Sequence, residues 1–495
     1  MTARLSSGAL VWAGFDGPAV PGRLLDGIAR GRIGGLLLFA YRGNIRSREQ
    51  VRGMLREAVT AARSGGLPPV PVGVDQEGGS VIRIGYGAVF PSAMAIGATG
   101  DPANAERVAR AVALGLRADG IAVNHAPVCD VNVEPRNPVI GTRSFGDDPD
   151  AVARFCASWV RGSEGAGVAT SPKHFPGHGA AAHDTHHTTV DVIAEPATLE
   201  ARELVPFRAA FAAGASSVMT AHIRYPALDD DIATLSPRIL RDLLRGALGF
   251  DGLAITDSLD MSGLTQVETP DRVAARAVNA GIDAVMVTSG LDAQLDAPEH
   301  LALGVPPARL REAIVRAGAF RERFGIDVPG APFDDGPGRA LALEIAAASI
   351  THVGPDLPPL GGSIRVLLFA PKQRSPVEEL AQLETHLEAA LRERLGSRLA
   401  FAIDAGGGAA APAGDGPLVV CTSSAFFDPA QAERARALLG SGGVLCALRS
   451  PYDATLVPNV PSLLTYGDVP ASLIALADVL AGRTRPGGRS PVRIA

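Results

Sequence analysis

The chain has 495 residues, 46% of them hydrophobic, and a formal net charge of −6. Single cores stop growing near ~250–300 residues, so this length calls for one large domain plus a smaller one, and the apolar content excludes a disordered class. The acidic balance leaves no basic footprint for nucleic acid and no polybasic patch for a membrane surface.

From the first residue, "MTARLSSGALVWAGFDG" lacks signal-peptide anatomy: its apolar run is short, Gly14 breaks it, and no small-residue cleavage site follows. Nothing approaches the ~18 apolar residues of a membrane span. Cys129, Cys156, Cys421 and Cys446 are scattered singly, which fits reduced thiols in a cytosol, and the expected localisation is cytoplasmic.

Eight continuous apolar runs then follow in order, at 9–15, 33–39, 70–77, 120–128, 167–175, 215–222, 252–258 and 281–289. Continuous rather than alternating runs are the pattern of parallel strands buried on both faces. Between them lie segments with apolar residues at helical spacing, such as 48–63 and 101–120, the second opened by an Asp-Pro cap signal. Eight such units within roughly 300 residues predict a (β/α)8 TIM-type barrel over 1–328. A doubly wound open sheet would alternate similarly, but no glycine-rich nucleotide fingerprint follows the first run.

A Pro- and Gly-rich stretch closes the barrel, and 329–362 reads as a linker with a helix. Strand-like runs at 364–371, 417–423 and 443–451, alternating with helix-like 428–440 and 470–482, predict a smaller α/β sandwich domain over 363–495.

Polar residues cluster where the barrel runs end: Asp75, Asn124, His125, Lys173, His174, His222 and Asp257. In such a barrel that rim carries the chemistry. Five of the ten histidines (His174, His178, His183, His186, His187) fall in "KHFPGHGAAAHDTHHTTV". Three readings compete for it: metal site, acid/base apparatus, or solvated loop. His174 and His178 have the i, i+4 spacing of helical metal ligands, but Pro176 and Gly177 between them forbid the helix. Asp184 and His186 could form a pair in which the carboxylate fixes the imidazole tautomer and raises its basicity; His183 and His187 read as solvated. Asp257 is either a helix N-cap or a reacting carboxylate, with Asp260 the better pure cap. Lys173 either reaches a ligand or pairs with a carboxylate. Asp75 either binds ligand or shapes a turn, and Arg143 either anchors a polar ligand or ties down its own loop.

Taken together, "VDQEGG", "VIGTRSFGDDP", "KHFPGHG…DTHH", "MTAHIRYPALDDDIATLS" and "LGFDGLAITDSLDM" resemble glycoside hydrolase family 3, in its NagZ-type β-N-acetylglucosaminidase branch. The tail "ALRSPYD…GGRSPV" resembles the α/β domain that many members carry after the barrel, so nearly the whole chain is covered. The resemblance implies an exo-acting, retaining glycoside hydrolase that removes terminal GlcNAc from cell-wall fragments or chitooligosaccharides. It implies Asp257 as nucleophile, His186 oriented by Asp184 as acid/base, and Asp75, Arg143, Lys173 and His174 as the residues holding the sugar. Retaining glycosidases normally use two carboxylates ~5–5.5 Å apart; this branch replaces one with the His–Asp dyad. It implies no cofactor and no metal, and a small carbohydrate as the partner. Because a neutral imidazole does not repel an anion, phosphate is an alternative acceptor, which would make the enzyme a phosphorylase. A broader β-glycosidase, a non-catalytic sugar-binding protein and a metal-dependent hydrolase are the remaining alternatives. Two departures stand out: Ser80 occupies the place of the family's usual Arg, and Ser258 follows the nucleophile where the glucosidase branch has Trp.

Overall fold

The computed structural model describes residues 6–181, 190–261, 264, 270–288, 290–373, 375, 378, 383–406 and 408–494. Along the chain, the first strands are β1 (Val11–Ala13), β2 (Gly35–Leu37), β3 (Val72–Val74), β4 (Val123–Asn124) and β5 (Ala169–Thr170). They continue with β6 (Val190–Asp191), β7 (Ser217–Thr220), β8 (Ile223–Tyr225), β9 (Asp229–Ile232), β10 (Leu253–Ser258) and β11 (Ala284–Val287). Eight of these form one parallel sheet in the order β5-β4-β3-β2-β1-β11-β10-β7. Phe175 bridges Thr220 in parallel, its N–H donating to Met219 O at 2.8 Å and its O accepting from Ala221 N at 2.8 Å, which draws the two edges together. The expected (β/α)8 barrel is therefore present, with each strand inside its predicted run. Strands β6, β8 and β9 form a separate three-stranded sheet.

The barrel strands read as unbroken apolar runs because they are buried on both sides, between the barrel interior and the surrounding helices. Helix starts follow from local chemistry. Asp101 accepts from Ala103 N at 2.9 Å before the helix Pro102–Ala118, and Asp148 accepts from Ala151 N at 2.7 Å before Pro149–Gly165. In both, proline occupies the first helical position, where its missing N–H costs nothing.

The second unit contains β12 (Thr351–Val353), β13 (Ile364–Phe369), β14 (Leu399–Asp404), β15 (Leu418–Thr422), β16 (Val444–Ala447) and β17 (Ser462–Leu464), in the order β12-β17-β16-β15-β13-β14. All neighbours are parallel except β12 against β17. The segment between barrel and sheet carries the helix Gly336–Ser349 and also contributes β12.

The two units share a packed junction in which Met94, Ala95 and Ala98 meet Ala447, Tyr452, Leu464, Tyr466 and Val492. Ser92 Oγ donates to Tyr466 O at 2.7 Å and Asn132 Nδ2 to Tyr452 Oη at 2.9 Å. Residues 488–493 then run back along the barrel: Arg489 N donates to Ala98 O at 2.9 Å, Asp147 N to Pro491 O at 3.1 Å, and Arg493 N to Asp147 Oδ2 at 2.8 Å. Among the described residues no helix is long and apolar enough to cross a membrane.

Candidate active site

A cavity of about 290 Å³ opens at the C-terminal ends of the barrel strands, lined among others by Asp75, Glu77, Arg143, Lys173, His174 and Asp257. Strand β3 leads directly into Asp75 and Glu77, and the bridge beyond β5 places Lys173 and His174 beside them. The Lys173–His174 peptide is cis.

These side chains form one network. Lys173 Nζ lies 2.7 Å from Asp75 Oδ1 and 2.6 Å from Glu77 Oε1, with the lysine side chain only 2% exposed. Arg143 grips Glu77 through both oxygens, Nε to Oε2 at 2.8 Å and Nη2 to Oε1 at 2.9 Å. Bidentate pairing fixes the guanidinium plane. Arg143 also donates Nη1 to Val139 O at 3.2 Å, so it ties down its own loop and faces the cavity at once. Its Nη2 stands 3.4 Å from His174 Nε2.

Behind His174 sits Asp130, fully buried, with Oδ2 2.7 Å from His174 Nδ1. The same carboxylate accepts from His174 N at 3.2 Å and from His178 N at 2.6 Å. Acceptance from Nδ1–H assigns the proton to Nδ1 and leaves Nε2 as an acceptor toward Arg143.

Charge compensation sets the protonation states. Burial acts to raise the Asp75 carboxyl, but the charges of Lys173 and Arg83 outweigh it and hold it well below the usual carboxylate range. Burial likewise opposes ionisation of Glu77, yet Arg143 and Lys173 bring it down to about 2. Burial works against the Lys173 ammonium, which Asp75 and Glu77 nevertheless hold above its ordinary value. Burial lowers His178 to about 4, helped by the neighbouring His174.

Asp257 is the penultimate residue of β10, and one of its oxygens accepts from Ser258 N at 2.7 Å. Ser258 Oγ lies 3.0 Å from Thr288 Oγ1, and Asp260 Oδ2 accepts from Thr288 N at 2.6 Å and Thr288 Oγ1 at 2.8 Å. Asp260 thus staples the end of β10 to the end of β11 and lines the cavity. His222 Nε2 lies 3.0 Å from Ser258 O, bracing the same turn.

The structure accordingly brings Asp75, Arg143, Lys173, His174 and Asp257 onto one cavity. Asp184 and His186, like His183 and His187, lie outside the described residues. Glu77 and Asp130 escaped sequence reading. Glu77 stands in the quoted "VDQEGG" two residues after Asp75, a spacing that could have pointed to it; Asp130 had no local signal, since its partners are 44 and 48 residues away.

A profile of the glycosyl hydrolase family 3 N terminal domain matches residues 23–316. Beta-hexosaminidase of Stenotrophomonas maltophilia (strain K279a) is 39% identical over 285 residues, covering 55% of this chain and 82% of that protein. Against beta-hexosaminidase A of Pseudoalteromonas piscicida the identity is 37%, and the match spans about half (48%) of that protein's length. The beta-N-acetylglucosaminidase/beta-glucosidase of Cellulomonas fimi is 31% identical over 490 residues, covering 88% of this chain and 85% of that one. Among solved structures, a glycoside hydrolase family 3 beta-N-acetylglucosaminidase from Paenibacillus sp. str. FPU-7 superposes with a TM-score of 0.92 at 31% identity, covering 100% of this chain and 99% of that chain.

Proposed function

The chain belongs to glycosyl hydrolase family 3, and on that premise we propose that it is a retaining exo-β-N-acetylglucosaminidase acting on terminal GlcNAc of cell-wall fragments or chitooligosaccharides. The observation that carries this reading is that Asp257 shares one cavity with the Asp75–Lys173–Glu77–Arg143 network. That network is a wall of rigid charged donors and acceptors suited to a polyhydroxylated ring, and Asp257 supplies a carboxylate at the strand end where reacting groups sit.

In the proposed mechanism the Asp257 carboxylate attacks the anomeric carbon and the glycosidic C–O bond breaks. The departing oxygen takes a proton from His186, whose ring Asp184 orients. Water then attacks the anomeric carbon, gives its proton to His186, and releases Asp257, so the configuration is retained. Asp75, Lys173, Arg143 and His174 hold the hydroxyl and acetamido groups throughout. The four cysteines are free thiols, which supports the cytoplasm as the proposed compartment.

The test is hydrolysis of an aryl β-N-acetylglucosaminide beside the matching β-glucoside, with and without phosphate, by wild type, Asp257→Ala and His186→Ala. Selective release from the N-acetyl substrate, lost in Asp257→Ala and restored by azide as the α-glycosyl azide, is the expected result. A sugar 1-phosphate product would reassign the enzyme as a phosphorylase. Cleavage of neither glycoside, or full activity in Asp257→Ala, would overturn the reading.

A further inference from the structure

Beyond the network that faces the terminal sugar, the cavity is also lined by Phe39, Tyr41, Arg42 and Arg83. Tyr41 is 59% exposed, and no other Phe, Trp or Tyr among the described residues is so open. It stands on the short helical turn Ala40–Arg42 that follows β2. The turn is braced from beneath. Gly43 closes it in the left-handed region at φ +76°, Gly17 N donates to Arg42 O at 2.7 Å, and buried Asn44 accepts from Phe39 N at 2.9 Å while donating to Phe15 O at 3.0 Å and Gly17 O at 2.9 Å. The ring is therefore held in place although it faces water.

Its neighbours fix its orientation further. The Phe39 ring lies 5.3 Å away, tilted by 42°, and the buried Arg83 guanidinium lies 5.6 Å from the Tyr41 ring centroid. Arg83 is also one of the charges that hold the Asp75 carboxyl down. Tyr41 therefore stands one side chain out from a residue of the sugar-holding network. A pre-oriented aromatic face beside a sugar site suits the C–H face of a second pyranose, because the electron-rich ring attracts the partial positive charge of aligned C–H bonds, and a tyrosine loses few rotatable bonds in doing so.

We propose that Tyr41, backed by Arg83 and Phe39, is the platform on which the leaving-group sugar stacks, and so sets the preference for saccharide over small aglycones. This rests on the reading of the cavity as a β-N-acetylglucosaminidase site. One sugar ring is held by the network around Lys173, and the next lies over Tyr41 with the scissile bond between them.

The test compares N,N′-diacetylchitobiose with 2-acetamido-2-deoxy-β-glucosyl fluoride, whose leaving group is a single atom with nothing to stack. The quantity read is the ratio of kcat/KM for the disaccharide to that for the fluoride. The ratio is expected to fall about tenfold in Tyr41→Ala, the order that one aromatic contact contributes, and to hold in Tyr41→Phe. A ratio in Tyr41→Ala within about twofold of wild type overturns the platform, as does an equal fall in Tyr41→Phe, which would credit the hydroxyl instead of the ring. Wild type that cleaves the fluoride but not the disaccharide also overturns it. Cleavage of neither substrate removes the site reading itself and the platform with it.

Discussion

Glu77 and Arg143 are joined by two parallel hydrogen bonds, and the Glu77 oxygen that takes Arg143 Nη2 also takes the Lys173 ammonium at 2.6 Å. One buried carboxylate thereby sets the direction of two of the cations that line the cavity. Glu77→Gln replaces an oxygen by an amide whose N–H groups meet other N–H groups, leaving buried positive charge undercompensated. Breaking a buried pair from one side costs about 3–5 kcal/mol. Urea unfolding at pH 7 is expected to show a loss of that order, together with a fall of about 100-fold or more in kcat/KM. Wild-type stability and rate in the variant would show that Glu77 is dispensable.

Asp130 governs His174 through the ring nitrogen that faces away from the cavity. In Asp130→Asn an amide N–H facing Nδ1 would move the imidazole proton to Nε2, and point it at Arg143 Nη2, now 3.4 Å away as a donor. The expected outcome is a tautomer change at His174, read as a shift of the proton-bearing nitrogen in ¹⁵N NMR, with kcat/KM reduced about tenfold or more, the order of one charge-assisted hydrogen bond. An unchanged ¹⁵N pattern would count against the tautomer assignment.

Acid should unfold the protein in two stages. Burial holds His125 and His178 down at about 4 against an ordinary 6.5, so the unfolded chain binds protons more readily between those values. Stability is present in full above pH 6.5 and is lost as pH falls toward 4, by on the order of 3 kcal/mol for each histidine. Glu77, depressed to about 2, adds a second loss below pH 4.5 as the unfolded carboxyl protonates first. Unfolding free energy measured from pH 7 to 4 should slope downward, and His125→Gln should flatten that slope. A flat wild-type profile over this window would refute the assignment of neutral buried imidazoles.

Much of the fold could be read from the chain because fully buried parallel strands leave continuous apolar runs, and all eight barrel runs contain their strand. The second unit was half legible. Strands β13, β15 and β16 fall in the expected runs, whereas β12 and β17 are three residues long. Strand β14 is only partly buried along "LAFAID", so none of these three leaves a pattern of its own. At the site, Asp75, Arg143, Lys173, His174 and Asp257 were identifiable because each sits in a motif or at a strand end. Lys173 is paired with Asp75 and Glu77 and also faces the cavity, so the ion pair alone does not decide between its two alternatives. Asp130 and Tyr41 depend on which distant segments meet, and a linear chain does not record that.

The strip 488–493 belongs in sequence to the second unit but lies on the barrel, and its contact from Arg493 to Asp147 spans 346 residues. The strip thus closes a loop that encloses the second unit and ties that unit back to the barrel. Met94, Ala95 and Ala98 of the barrel are covered from the same side, by Ala447, Tyr452, Leu464 and Tyr466 of the second unit and by Val492 of the strip. Without the second unit those apolar side chains would face water, so the isolated barrel is expected to self-associate as its concentration rises.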